Sequence, residues 1–300
     1  MRKALIYGVL GSLFFAFTFI FNRSMNLAGG NWMWSACLRY IFTLPIMAVL
    51  VWKEHGMKEI LEEIRQNIGK WLLWSTVGFG LFYAPLSMAS IYGASWFVAA
   101  TWQITIVAGV LLTPLFGHKI PVKNLLMSVV ILAGIVMLQI NNVYQGTGQG
   151  VLPALGLILV AAFSYPLGNR KMMSYCPSKI STIQRVFGMT LCSMPFWLML
   201  SGIACVQVGL PSAGQSLQAF IVALFSGVIA TVLFFEATNL VKSNPKQLAV
   251  IEATQSGEVI FTLIGSLLFL GDTVPTVIGF IGVAVVVIGM IANSLISVGR

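Results

Sequence analysis

Two acids, an amide and two hydroxyls interrupt one apolar stretch: Glu252, Thr254, Gln255, Ser256 and Glu258. A charged side chain near the centre of a bilayer costs about 2.5–3.5 kcal/mol on insertion scales, so one kept there points to function. If the stretch is entered from the cytoplasm near Gln247, Glu258 lies about 16 Å deep and Glu252 about 8 Å deep, at about 1.5 Å per residue. Gln255 stands three residues from each acid, so the three share part of one helix flank. The chemistry expected of Glu258 is binding of a proton or a cationic substrate group, with Gln255 and Ser256 as hydrogen-bond partners. The competing reading is a structural Glu paired to another helix or held neutral.

A second candidate, Arg39, lies about seven residues into its apolar run. There it could hold a substrate carboxylate, snorkel to the surface or pair with a buried acid. Arg185 sits at an inner surface, where a positive charge is ordinary, and Glu236 near an inner helix end reads as a gate or structural partner. Tyr83, Trp102 and Gln103 lie at middle depth, and aromatics with one amide suit a pocket for flat or hydrophobic cargo as well as plain packing. His55 and His118 lie in loops, and Cys37, Cys176, Cys192 and Cys205 have no metal-like spacing. No metal, no cofactor and no enzymatic activity are expected: HExxH and GxSxG are absent, and without GxxxxGK[ST] there is no ATP motor.

The elements that hold these residues follow from composition. Only 8% of the 300 residues are charged and the mean hydropathy is +0.93, against roughly 25% charged in a soluble domain. Most of the surface therefore does not face water, and the lipid bilayer is the expected surroundings. The net charge of +9 sits in short segments between apolar runs rather than on one face, which argues against nucleic acid as a partner. Residues 4–22, 71–117, 124–169 and 186–235 contain no Asp, Glu, Lys or Arg. The last three runs are each long enough for two crossings, and each carries a turn signal near its middle. Ten transmembrane helices result, over about 4–22, 32–52, 71–91, 96–116, 122–140, 151–169, 183–203, 217–240, 247–270 and 274–296. The first run lacks a small-residue cleavage site and is kept as a helix.

Placing the N-terminus inside puts fifteen of the 17 Lys and Arg residues in inner segments and leaves only Arg23 and Arg39. Both termini are therefore expected in the cytoplasm. Met57, Ile60, Leu61, Ile64 and Ile68 mark residues 53–70 as an interfacial amphipathic helix, read as a membrane-surface connector. Trp32, Trp34, Trp52, Trp71, Trp74 and Trp96 fall near helix ends, as interface aromatics do.

The chain also resembles itself. Ala16-Phe17-Thr18 before Asn22-Arg23-Ser24-Met25 recurs as Ala162-Phe163-Ser164 before Asn169-Arg170-Lys171-Met172. Arg39 corresponds to Arg185, and Ala100-Thr101-Trp102-Gln103 to Ala253-Thr254-Gln255. Gly117 and Pro121 recur 154 residues later as Gly271 and Pro275. The order predicts two five-helix repeats, residues 1–145 and 146–300. Five is odd, so the second repeat is inverted. Inverted repeats place a site between halves that rock against each other, the geometry of alternating access.

With Arg39 and Arg185 early in the second helix of each half, Gly271-Asp272 before the last helix and a Gly-rich end from Gly279 to Gly289, the whole chain resembles the drug/metabolite transporter superfamily of EamA-type ten-helix proteins. The segment Val250 to Glu258 resembles its putative multidrug resistance efflux branch. Many members carry Gly-Glu where this chain has Gly117-His118, and Pro in the fourth and ninth helices where this chain has Thr254-Gln255-Ser256. The resemblance implies a secondary transporter in the plasma membrane that exports small organic molecules, drugs or metabolites, with protons as a candidate coupling ion. An amino-acid or metabolite exchanger, and a membrane component that transports nothing, remain the alternatives.

Overall fold

The computed structural model describes residues 1–117, 119–144, 150–241 and 245–296. His118, Lys242, Arg300 and the boundary expected between residues 145 and 146 lie outside the described residues. Every regular element among those described is helical. Among the described residues, nine helices are long and apolar enough to cross a membrane. They are α1 (Arg2–Leu27), α2 (Trp32–Lys53), α4 (Ile68–Ala89), α7 (Val122–Tyr144), α8 (Val151–Tyr175), α9 (Thr182–Val208), α10 (Ala213–Thr238), the broken segment Val250–Leu270 and α13 (Val277–Ile296). The short α3 (Met57–Gln66) joins α2 to α4. A shorter apolar segment, Ser95–Leu111, is split into α5 (Ser95–Trp102) and α6 (Ile104–Leu111). The segment Val250–Leu270 is divided between the end of α11 (Pro245–Ala253) and α12 (Gly257–Gly265), which continues into a wide turn over Ser266–Leu270.

Turn chemistry sets the joints. The first helix runs five residues past the expected Asn22 because nothing stops it before Gly29, which takes φ +78° while the Gly30 N–H donates to the Met25 carbonyl (2.8 Å). Asn31 then caps α2 by accepting from the Met33 N–H (2.8 Å). A capping box opens α9: Ser181 Oγ accepts from Gln184 N–H (3.1 Å), and Gln184 Oε1 accepts from Ser181 N–H (2.6 Å).

Packing is closest where glycines meet. An ideal Cβ on Gly168 of α8 would fall 2.3 Å from the Cα of Gly78 in α4. On the opposite flank, Gly282 of α13 lies against the Gly134 carbonyl of α7, at 3.0 Å from an added Cβ. Small residues let helices approach without a hydrophobic drive between them. The pairs α7–α13, α2–α9, α4–α8 and α1–α10 share the largest contacts.

Two expectations need correction. The connector is helical only over Met57–Gln66, and it packs on the protein. Ile60 and Ile64 are buried against Trp71 and Phe187, while Leu61 and Ile68 are exposed. The 100° turn per residue carries Leu61 off the stripe of positions 57, 60 and 64, and Ile68 already begins α4. Trp71 and Trp96 are fully buried and Trp34 nearly so, so these three are core residues; Trp52 is exposed, as an interface residue is.

Candidate functional site

The local irregularities of the helices converge on one cavity of about 260 Å³. In α10 a wide π-helical stretch, Ala223–Ala230, re-aims Ser226 and Gly227 onto its wall. In α4 a similar stretch, Thr76–Gly80, does so for Phe79. The break between α5 and α6 falls at Gln103, whose side-chain amide donates to the Ala99 carbonyl (3.1 Å). Between α11 and α12 the chain tightens to a 3₁₀ turn over Thr254–Ser256. The Thr254 hydroxyl donates to the Ile251 carbonyl (2.6 Å) and the Ser256 hydroxyl to the Ala253 carbonyl (2.8 Å). Such back-bonding bends a helix, and residues 250–270 contain no proline to do so.

Aromatic rings form one wall. Phe82, Trp102 and Tyr165 pack around one another with centroids 4.8–5.8 Å apart. Behind Arg39, Tyr40 stacks on Trp197 at 4.4 Å and meets Tyr83 edge-on at 5.7 Å.

Arg39 lines the cavity but is already engaged. Its Nη1 donates to Thr18 Oγ1 of α1 (3.2 Å) and its Nη2 to Ser226 Oγ of α10 (3.3 Å). Those two hydroxyls are themselves 2.6 Å apart. The guanidinium lies over the Tyr83 ring at 4.1 Å from its centroid, and the Tyr83 hydroxyl accepts from Asn22 Nδ2 (3.1 Å). One guanidinium thus bridges α1, α10 and α4, using its flat face and two arms together. Arg39→Lys keeps the charge but cannot reproduce that fork. A fall of several degrees in thermal unfolding of the purified protein is expected, matching the loss of about 1.5–3 kcal/mol for a hydrogen bond to a charged group. An unchanged midpoint would remove the bridging role.

Glu258 lines the same cavity from α12. Its carboxylate forms no hydrogen bond and no ion pair with a described residue. Gln255, beside it on the wall, has no side-chain hydrogen bond with a described residue either. A carboxylate and an amide facing open space beside a cluster of rings can take a positively charged or proton-donating group.

The structure therefore gathers Glu258, Gln255, Arg39, Trp102 and Gln103 on one cavity, with Tyr83 directly beneath Arg39. Ser256 is buried and turned to its own backbone. Glu252 is exposed and off the cavity, six residues and so about 120° round the helix from Glu258. Glu236 is exposed beside the lining residue Phe235, and Arg185 adjoins the lining residue Val186. Thr18, Phe82, Tyr165 and Ser226 were not anticipated. Tyr165 and Asn169 fall one turn apart on α8 and both line the cavity, a pattern legible in the sequence; Ser226 gave no signal, since a lone serine in an apolar run is ordinary.

A family model described as "Putative multidrug resistance efflux transporter" matches residues 2–299. An uncharacterized protein of Bacillus subtilis strain 168, YjlA, is 46% identical over 99% of this chain and 96% of its own length. An uncharacterized 42.1 kDa protein of Shouchella clausii, named for its place beside an intracellular alkaline protease gene, is 45% identical over 90% of this chain and 74% of its own length.

Proposed function

We propose, from the premise that this chain belongs to the putative multidrug resistance efflux transporter family, that it is a secondary active exporter of small organic molecules, aromatic cations foremost. The observation that carries this reading is the unpartnered Glu258 carboxylate in an aromatic-walled cavity whose arginine is already engaged. Two Arg39 donors and one face of its guanidinium are taken by Thr18, Ser226 and the Tyr83 ring, whereas Glu258 has no hydrogen bond or ion pair with a described residue and meets the Arg39 charge only through space. Glu258 and Gln255 bind the cargo, Trp102 stacks on it, Gln103 shapes the wall, and Tyr83 supports Arg39 from beneath. Proton and cargo occupy Glu258 in turn, which couples one to the other.

The transport cycle is alternating access between two inverted five-helix repeats, with ten crossings and both termini in the cytoplasm of a bacterial plasma membrane. Ser95–Leu111, short and split, serves as the tenth crossing. Recurring irregularities support the repeat. Wide turns occupy the third crossing of each half, at Thr76–Gly80 and Ala223–Ala230. The fourth crossing of each half is broken, at Gln103 and at Thr254–Ser256. Each then ends on a glycine of positive φ, Gly117 and Gly271. Interrupted helices at matching places in two halves are the usual mark of a binding site.

Reconstitution in liposomes loaded with a pH-sensitive dye tests the reading. Under an imposed pH gradient, aromatic cations added to a panel of amino acids and neutral metabolites are expected to trigger proton movement, and the others are not. Response to amino acids alone would replace the cation reading with a carboxylate one. Silence across the panel from folded protein would remove proton-coupled export.

A further inference from the structure

The cavity lining runs from Phe19 and Leu86 at one end to Asn169, Val186 and Phe235 at the other. Its uppermost lining residues, Phe19 and Leu86, lie one helical turn before Arg23 and Ser90. There, Arg23 Nε pairs with Asp272 Oδ1 (3.3 Å), and Arg23 Nη1 donates to the carbonyls of Ser90 (3.2 Å) and Ile91 (3.4 Å). Asp272 Oδ2 accepts from both the backbone N–H (2.9 Å) and the hydroxyl (3.0 Å) of Ser95, capping α5 from a segment 177 residues away. Trp96 Nε1 donates to the Thr273 carbonyl (3.1 Å), and Asn26 Nδ2 bonds Ser90 Oγ. The end of α1, the turn after α4, the start of α5 and the loop before α13 are thus knotted through one ion pair. The Asp272 side chain is 3% exposed and Arg23 21%, so the pair is screened little by water.

The opposite end is built differently. The cavity reaches Asn169, Val186 and Phe235, next in sequence to Arg170, Arg185 and Glu236. Arg170 stands in the second half where Arg23 stands in the first. It donates to the Gly109 carbonyl (2.6 Å) and forms no ion pair with a described residue. Among the described residues, an acid–base pair joins separate helical elements at the first face and none does so at the second.

We propose that Arg23 and Asp272 are the outer gate: their ion pair closes the cavity on the face away from the basic loops, and it must break for the cavity to open outward. The inference rests on the transporter reading and on the positive-inside orientation. It adds two gating residues, and Ser95 as their positioning residue, to a site that they do not touch.

The test is accessibility rather than flux. With Cys37, Cys176, Cys192 and Cys205 replaced by serine, Leu86→Cys places a single thiol under the gate. A membrane-impermeant maleimide is added to the outside of intact cells expressing the full chain. Slow labelling is expected with the gate intact, rising at least about tenfold in Asp272→Asn and in Arg23→Gln, the scale of losing one charge-assisted hydrogen bond. Ser95→Ala removes only one of the hydrogen bonds to Oδ2 and is expected to give a smaller rise, which covers the case of a charge variant that fails to fold. Labelling at the parental rate in folded Asp272→Asn, or rapid labelling of the parent itself, overturns the gate. Neither result touches the transport reading, which fails on its own if accessibility follows expectation while no cargo moves.

Discussion

Glu258→Gln is expected to yield folded protein in which substrate no longer drives proton movement. The amide matches the carboxylate in shape, and no described residue depends on that carboxylate for a hydrogen bond, so nothing is left unpaired by the change. An amide cannot take up and release a proton, so coupling is lost outright rather than reduced. Affinity for an aromatic cation is expected to fall about 10–100-fold, the worth of one charge-assisted contact of about 1.5–3 kcal/mol. The pH dependence has a definite sign. Proton and cation compete for one carboxylate, so binding to the parent protein strengthens as pH rises, while binding to Glu258→Gln stays flat. Equilibrium binding of a fluorescent aromatic cation across pH, beside dye-reported proton flux, measures both. Coupled proton movement persisting in the Gln variant would remove Glu258 as the shared site.

The second large effect is structural, with a functional consequence. Gly168→Leu is expected to abolish folded protein, and Gly168→Ala to lower the unfolding midpoint. The crossing of α4 and α8 brings backbone to backbone: a Cβ on Gly168 meets Gly78 Cα and N at 2.3 Å and the Trp74 carbonyl at 2.9 Å. Backbone cannot swing aside as the end of a long side chain can, so the cost lies at or beyond the upper end of the roughly 1–3 kcal/mol of ordinary overpacking. The helices must separate, and with them Phe79 and Phe82 on one side of the cavity and Tyr165 and Asn169 on the other. Gly156, on the same helix, has nothing within 4 Å of an added Cβ, so Gly156→Leu is the matched control and should behave as the parent does. Size-exclusion chromatography of detergent extracts reads the outcome. Normal yield and a normal midpoint in Gly168→Leu would mean that the close crossing is not needed.

Much of the architecture was legible without coordinates because the bilayer imposes a coarse rule. Every crossing must be a long apolar helix with its backbone bonds satisfied internally, and charge must stay near the ends. Runs free of charge, with turn residues at their middles, therefore announce where most helices lie. Glu258 was legible for the same reason, as an acid far from any end. The boundaries moved where local chemistry decides: α1 continues to the glycines at 29 and 30, and the connector is helical only where its apolar stripe can bury on Trp71 and Phe187.

What composition and spacing determined by themselves is an all-helical membrane protein with rare intramembrane polar groups, because hydrophobic thickness and the penalty for buried charge act on sequence alone. Which of those polar groups meet was decided only by tertiary structure. Glu252 and Glu258 stand six residues apart, about 120° round a helix, and packing leaves the first exposed and the second on the cavity. Arg39 looked free to bind an anion until folding brought Thr18, Ser226 and Tyr83 to it from three other helices. Arg23 and Asp272 lie 249 residues apart and become a pair only because packing brings the end of α1 to the loop before α13. Pairing depends on helix rotation and on contacts distant in sequence, and neither is encoded in local hydropathy.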